Sequence, residues 1–283
     1  MFILLLAMLA APSTLPPTAS ANAVVVQPVA NMYSRATTDA DVVSQALYGV
    51  NVHVLESAGT WMRIQTPDHY QGWMQASAAL KRAPYAQDAK ATVQAANLFA
   101  SVYRETNITK HQPIVTVPFE TLLETTGTPA AGERWLQVVL PDGRRGWMQR
   151  GDVTEPHRMS MAEMVAFSER FVGLPYLWGG TSTFGYDCSG FTQMLYRRLG
   201  VLMPRDADQQ AAWSELKPVA RAELRPGDLL YFGASQNKIT HTGMYIGDGA
   251  FINATAHDKP VVQICKLADE HWTRLFVAAR RLK

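Results

Sequence analysis

The chain has 283 residues, 47% hydrophobic and 18% charged, which is globular composition and length for two or three small domains. A formal charge of +2 excludes the basic field of a nucleic-acid binder. Two cysteines are too few for a disulfide scaffold, and the seven histidines show no zinc spacing, so neither metal nor other cofactor is expected.

Phe2 to Ala11 is an unbroken apolar run, followed by a Pro-, Ser-, Thr- and Ala-rich stretch ending Ala19-Ser-Ala-Asn-Ala23. That is a secretory signal pattern over residues 1–23, although no Lys or Arg precedes the run. It is too short to cross a bilayer, which needs about 20 apolar residues. The expectation is an exported protein, periplasmic or extracellular, with no stable membrane span. No Cys follows the run, so a lipoprotein anchor is not expected.

Next comes a repeat. Trp61 to Gln75 aligns with Trp135 to Gln149 at a constant offset of 74 residues. Each copy reads as a strand, a Pro-Asp turn (Pro67-Asp68, Pro141-Asp142) and a strand opening with Gly-Trp. Strand candidates lie upstream, at Val50 to Leu55 and Phe119 to Leu123. Two all-β units are expected, over 24–82 and 83–156, with Trp61 and Trp135 at least partly in their cores. The pattern resembles bacterial SH3-like barrels, which often accompany wall hydrolases.

Beyond Pro156 the texture becomes mixed. Ser160-Met-Ala-Glu163 is a capping box, and Met164, Phe167, Phe171 and Val172 fit one helical face closed by Gly173. A second helix is predicted from Asp187 to Leu199, with Phe191, Met194, Leu195 and Leu199 on its apolar stripe and Gly200 as its stop. Strands follow at Leu229–Phe232, Thr242–Ile246, Ala250–Ala254, Val261–Ile264 and Leu275–Arg280. Helices before an antiparallel sheet give an α+β domain over 157–283.

Cys188 falls in the first turn of that second helix, where unpaired N–H groups and the helix dipole favour a thiolate. A bridge between Cys188 and Cys265 would consume this sulfur and is not expected. His241 opens a strand that reverses at Gly247-Asp248-Gly249, and Asn253 lies on the return. Equal spacing about Gly247 places His241 and Asn253 opposite each other on one face. Asn253 can then hold one ring nitrogen and aim the other at the sulfur. Nucleophile, base and orienter make a catalytic set.

Together these residues resemble the NlpC family of cell-wall cysteine peptidases. The resemblance rests on Pro175-Tyr176-Leu-Trp178-Gly179-Gly180, Asp187-Cys188-Ser189-Gly190-Phe191, Leu202-Met-Pro204-Arg205-Asp206, Pro226-Gly227-Asp228-Leu229 and His241-Thr-Gly243-Met-Tyr-Ile-Gly247-Asp-Gly249, which span residues 160–281. It implies a papain-like domain with Cys188, His241 and Asn253 catalytic. The family often has His where this chain has Asn253, and His257 is the fallback. With two SH3-like units ahead, the chain resembles γ-D-glutamyl-L-diamino acid dipeptidyl-peptidases. That implies murein peptides with a free N-terminal L-Ala as substrate and L-Ala-γ-D-Glu as product.

By the same resemblance Asp41, Tyr70 and Asp187 hold the substrate ammonium, and Asp41 stands where the family has Glu. Tyr176 assists the oxyanion, and Ser189, Arg205 and Asp206 line the groove. The second repeat has Arg144 in place of Tyr70, so the β fold itself does not demand that Tyr. The rival readings are an endopeptidase, amidase or acyltransferase on the same fold, and a non-catalytic wall-binding protein.

Overall fold

The structure, a computed structural model, describes residues 22–82, 84–87, 92–127 and 132–283. Residues 1–21 of the stretch read as a secretory signal lie outside the described residues. Ala23, assigned to that segment by the sequence pattern, instead begins the first strand and is 1% exposed. Among the described residues no helix is long and apolar enough to cross a membrane.

The first β unit is a seven-stranded antiparallel sheet running from Ala23 to Leu80. The second spans Thr92 to Thr154, as a five-stranded sheet and a two-stranded ribbon. The repeat is structural. Trp61 pairs with Gln75 and Ile64 with Gly72, while Trp135 pairs with Gln149 and Val138 with Gly146. Period-2 burial explains the pattern: Met62, Ile64 and Met74 fill the first core, and Leu136, Val138 and Met148 fill the second. Trp61 and Trp135 are half-buried outside these clusters, edge-to-face on Tyr33 and Tyr103 at centroid distances of 5.5 and 5.7 Å. Phe119, read as strand, sits in a turn before the strand Leu122–Thr125. It packs into the C-terminal core instead, against Phe167 and Phe171.

In the C-terminal domain helix α1 (Met161–Ser168) starts with both hydrogen bonds of the capping box, Ser160 N–H to Glu163 and Glu163 N–H to Ser160 Oγ. It ends at Ser168 and tightens into a 3-10 turn, which buries Phe171 but leaves Val172 exposed, unlike the sequence expectation. Helix α2 (Cys188–Arg198) buries Phe191, Met194 and Leu195 completely. Helices α3 (Ala207–Ala212) and α4 (Glu270–Leu275) complete the set. The strands are β1 (Leu216–Pro218), β2 (Leu229–Ser235), β3 (Lys238–Gly247), β4 (Ala250–Thr255), β5 (Val261–Lys266) and β6 (Phe276–Leu282). Their order in the sheet is β1-β6-β2-β3-β4-β5, all antiparallel.

Both β units dock on this domain through polar contacts. Thr181 N–H donates to Gln45 Oε1 at 3.0 Å, and Gln193 Nε2 to Asp68 Oδ2 at 2.9 Å. Arg197 holds Glu120 of the second unit at 2.9 Å.

Candidate active site

Helix α2 carries Cys188 at its first position, with Asp187 as N-cap accepting from Gly190 N–H at 2.7 Å. Gly190 is required here by close approach: a Cβ on it would stand 2.1 Å from the Gly180 carbonyl oxygen. The helix therefore seats directly on the Leu177–Gly180 loop. The backbone N–H groups of Ser189 and of Thr242, on β3, both stabilise charge on the Cys188 sulfur. Thr242 follows His241, so the residue bearing the imidazole is a chain neighbour of a group that touches the sulfur.

His241 lies inside β3, four residues into a strand that begins earlier than the sequence suggested. The pairing also differs. Met244 faces Ile252 and Tyr245 faces Phe251, with a bulge before Gly247 pairs Ala250. Asn253 consequently stands beside Gly243, where an added Cβ would come within 2.9 Å of the Asn253 Cβ. His241 is its diagonal neighbour, two residues along. The shift is even, so both side chains keep one face, and the missing Gly243 side chain leaves room between them. His241 Nε2 lies 2.9 Å from Asn253 Oδ1. Asn253 Nδ2 donates to the Gln263 carbonyl at 3.2 Å, which can only accept. That fixes Oδ1 toward the ring, puts the proton on Nε2 and leaves Nδ1 as the basic nitrogen.

The electrostatics correct one expectation. Burial pushes the Cys188 thiol up to about 12, the charge of Asp187 adding to it, against smaller relief from Thr242 N–H, Arg205 and Ser189 N–H. Burial also pushes His241 down to about 4, opposed by its bond to Asn253. Cys188 thus rests as a neutral thiol and His241 as a neutral imidazole. Desolvation outweighs the helix terminus, because few water dipoles reach the sulfur. Alkylation of Cys188 by iodoacetamide should therefore climb about tenfold per pH unit between about pH 6 and 9, following the thiolate fraction. Mass spectrometry of the Cys188 peptide measures this, and a flat rate over that range would show a preformed thiolate–imidazolium pair.

Asp187 is fully engaged. Its Oδ1 accepts from Gly190 N–H and from Arg205 Nη1 at 3.0 Å. Its Oδ2 accepts from Gly179 N–H at 3.0 Å and Arg205 Nη2 at 2.6 Å. Ser189 Oγ adds a longer bond to Oδ1 at 3.4 Å, so the carboxylate's acceptor sites are filled. Arg205 is 1% exposed and also reaches Ser189 Oγ at 2.9 Å and Ser44 Oγ, in the first β unit, at 3.2 Å. Arg205 and Ser189, expected on the groove wall, are buried supports behind it.

Tyr70 crosses from the first β unit and donates from its hydroxyl to Asp206 Oδ2 at 3.2 Å. Arg144, its counterpart in the second repeat, instead pairs locally with Asp142. Half-buried Asp206 titrates upward through desolvation, partly offset by Arg205 and the Tyr70 bond. Tyr176 is half-buried, and burial followed by the charge of Cys188 raises it to about 12. Asp41 is exposed and precedes Val42, which abuts Gly179 at the edge of this loop. The Asn253 side chain bonds to His241, Gln263 and Cys265, whereas the His257 ring stacks on His271 with centroids 3.7 Å apart.

Sequence reasoning missed Trp272, which stacks on the His241 ring at 5.1 Å and 28°. It also missed Cys265, whose sulfur accepts from Asn253 Nδ2 at 3.4 Å, and both cysteines are free thiols. Period-2 alternation on the β4–β5 pair could have found Cys265. No local signal points to Trp272.

Residues 173–281 match the NlpC/P60 family, and residues 32–78 match the bacterial dipeptidyl-peptidase SH3 domain. The γ-D-glutamyl-L-lysine dipeptidyl-peptidase of Bacillus cereus is 29% identical over 254 residues, covering 84% of this chain and 74% of its own. The murein DD-endopeptidase MepH of Escherichia coli is 33% identical over 139 residues, covering 47% of this chain and 51% of its own. The fold matches a crystal structure of an NlpC/P60 family protein from Bacillus cereus, with a TM-score of 0.80 at 24% identity, over 92% of this chain and 99% of that one. The chain thus carries an NlpC/P60 domain behind a bacterial dipeptidyl-peptidase SH3 domain, and it is a peptidase of the cysteine type.

Proposed function

We propose that this is an exported peptidase that cuts the γ-D-glutamyl-L-diamino acid bond of murein peptides carrying a free N-terminal L-Ala, releasing L-Ala-γ-D-Glu. The observation that carries this reading is the Tyr70–Asp206 bond, which brings the first β unit against the peptidase groove. A groove walled at one end accepts a chain terminus and resists an intact, cross-linked wall. Asp206 is half-buried and keeps acceptor capacity beside the Tyr70 oxygen, so this pair suits an ammonium, with the charge of Asp187 behind it. Asp41, at the rim, adds a second negative charge. The likeness to a γ-D-glutamyl-L-lysine dipeptidyl-peptidase supports the same substrate class.

In this mechanism the Cys188 thiol passes its proton to His241 Nδ1 as the sulfur attacks the γ-carbonyl of D-Glu. Backbone N–H groups at the start of α2, with the Tyr176 hydroxyl, take the developing oxyanion. The imidazolium, held by Asn253, protonates the departing amine of the diamino acid. A thioester remains on Cys188, and His241 then draws a proton from water to hydrolyse it and restore the thiol.

The test compares L-Ala-γ-D-Glu-diaminopimelate with its N-acetyl derivative by mass spectrometry. The free amine should be cleaved at least about 100-fold faster, since a buried polar site left unpaired rejects the analogue strongly. Equal rates would reject the walled-end reading and favour an endopeptidase, the activity named for the Escherichia coli relative.

A further inference from the structure

We propose that Cys265 is a positioning residue for the Cys188–His241 pair, acting through Asn253. This rests on the catalytic reading above and assigns a task to a sulfur that reading leaves unused.

Asn253 is 0% exposed, so each of its amide atoms needs a protein partner. Oδ1 faces His241 Nε2, and one Nδ2 hydrogen goes to the Gln263 carbonyl. The other goes to Cys265 Sγ at 3.4 Å. The pairing of β4 with β5 explains the choice: Asn253 stands opposite Gln263 and Phe251 opposite Cys265, so Cys265 is the diagonal neighbour on the same face. With both hydrogens bound, the amide cannot turn without stranding a buried donor.

The sulfur also packs against the apolar cluster that holds Trp272, and that indole, 3% exposed, stacks on the His241 ring at 5.1 Å. The imidazole is thus held by an indole on its face and by an amide at its edge that Cys265 helps to fix. The ring is free to turn about its side-chain bonds unless both hold, and the mechanism above needs Nδ1 turned toward Cys188.

The experiment measures kcat and KM for L-Ala-γ-D-Glu-diaminopimelate with wild type, Cys265→Ala, Cys265→Ser, Asn253→Ala and the Asn253→Ala/Cys265→Ala double variant, each checked as folded by circular dichroism. Cys265→Ala should lower kcat about tenfold with KM unchanged, because the acceptor is lost while the substrate groove is untouched. Cys265→Ser keeps an acceptor and should recover most of that loss. In the Asn253→Ala background, Cys265→Ala should cost nothing more, since its route to His241 is gone. An undiminished kcat in Cys265→Ala, a serine variant no better than the alanine variant, or full additivity in the double variant would each overturn the inference. Failure of wild type to cleave this peptide would instead count against the substrate reading.

Discussion

Replacing Cys188 by Ala should reduce turnover of the murein tripeptide by roughly 10⁴- to 10⁶-fold while leaving the fold intact. The sulfur is the only atom there able to form the acyl intermediate, and Ala fits a first helical position without strain. His241→Ala should fall in the same range. The double variant should be no worse than either single one, because a nucleophile without its base and a base without its nucleophile are equally idle. The burial of both groups sharpens the expectation. With the thiol raised to about 12 and the imidazole lowered to about 4, almost no thiolate forms unless His241 takes the proton during attack. Product measured by mass spectrometry within tenfold of wild type for Cys188→Ala would remove this residue from the mechanism.

The second large effect is on stability. Arg205→Met should destabilise the protein by about 3–5 kcal/mol, because it leaves the Asp187 carboxylate buried without its counter-charge. Arg205 supplies two hydrogen bonds to Asp187, one to Ser189 and one to Ser44 across the domain boundary. Its loss therefore loosens the start of α2 and the seat of the first β unit together. Asp187→Asn in the same chain removes the orphaned charge while keeping an acceptor for the Gly190 N–H, and should restore part of the stability. Urea unfolding followed by tryptophan fluorescence measures both. A single variant within about 1 kcal/mol of wild type would show that the pair gives the fold little, as exposed pairs do.

A pattern in local sequence needs only local physics. Ser160 and Glu163 announce a helix start because the two groups that satisfy each other are three residues apart. The Trp61 and Trp135 repeat announces two matching hairpins because side-chain alternation has period two. His241 and Asn253 were readable as partners for the same reason. Even a mistaken centre for the turn preserved their shared face, since the slip was two residues and not one. Burial was harder to read: Trp61 and Trp135, expected at least partly in the cores, are half-buried but stand outside the core clusters, because period two sends Met62 and Leu136 inward.

By itself, then, the sequence determined the place of Cys188 at a helix start, His241 and Asn253 on one hairpin, the two β repeats, and the order of helices before strands. Only the tertiary structure decided how those parts are wired. Tyr70 reaches Asp206 across 136 positions and Arg205 reaches Ser44 across 161. The sequence also could not say that Asp187 is filled by Arg205, that Trp272 lies on His241, or that Cys265 holds Asn253. The physical reason is the same in each case. Caps, turns and alternation are set by neighbours along the chain, whereas docking, desolvation and the sharing of buried hydrogen bonds depend on which distant surfaces meet and how much water they expel.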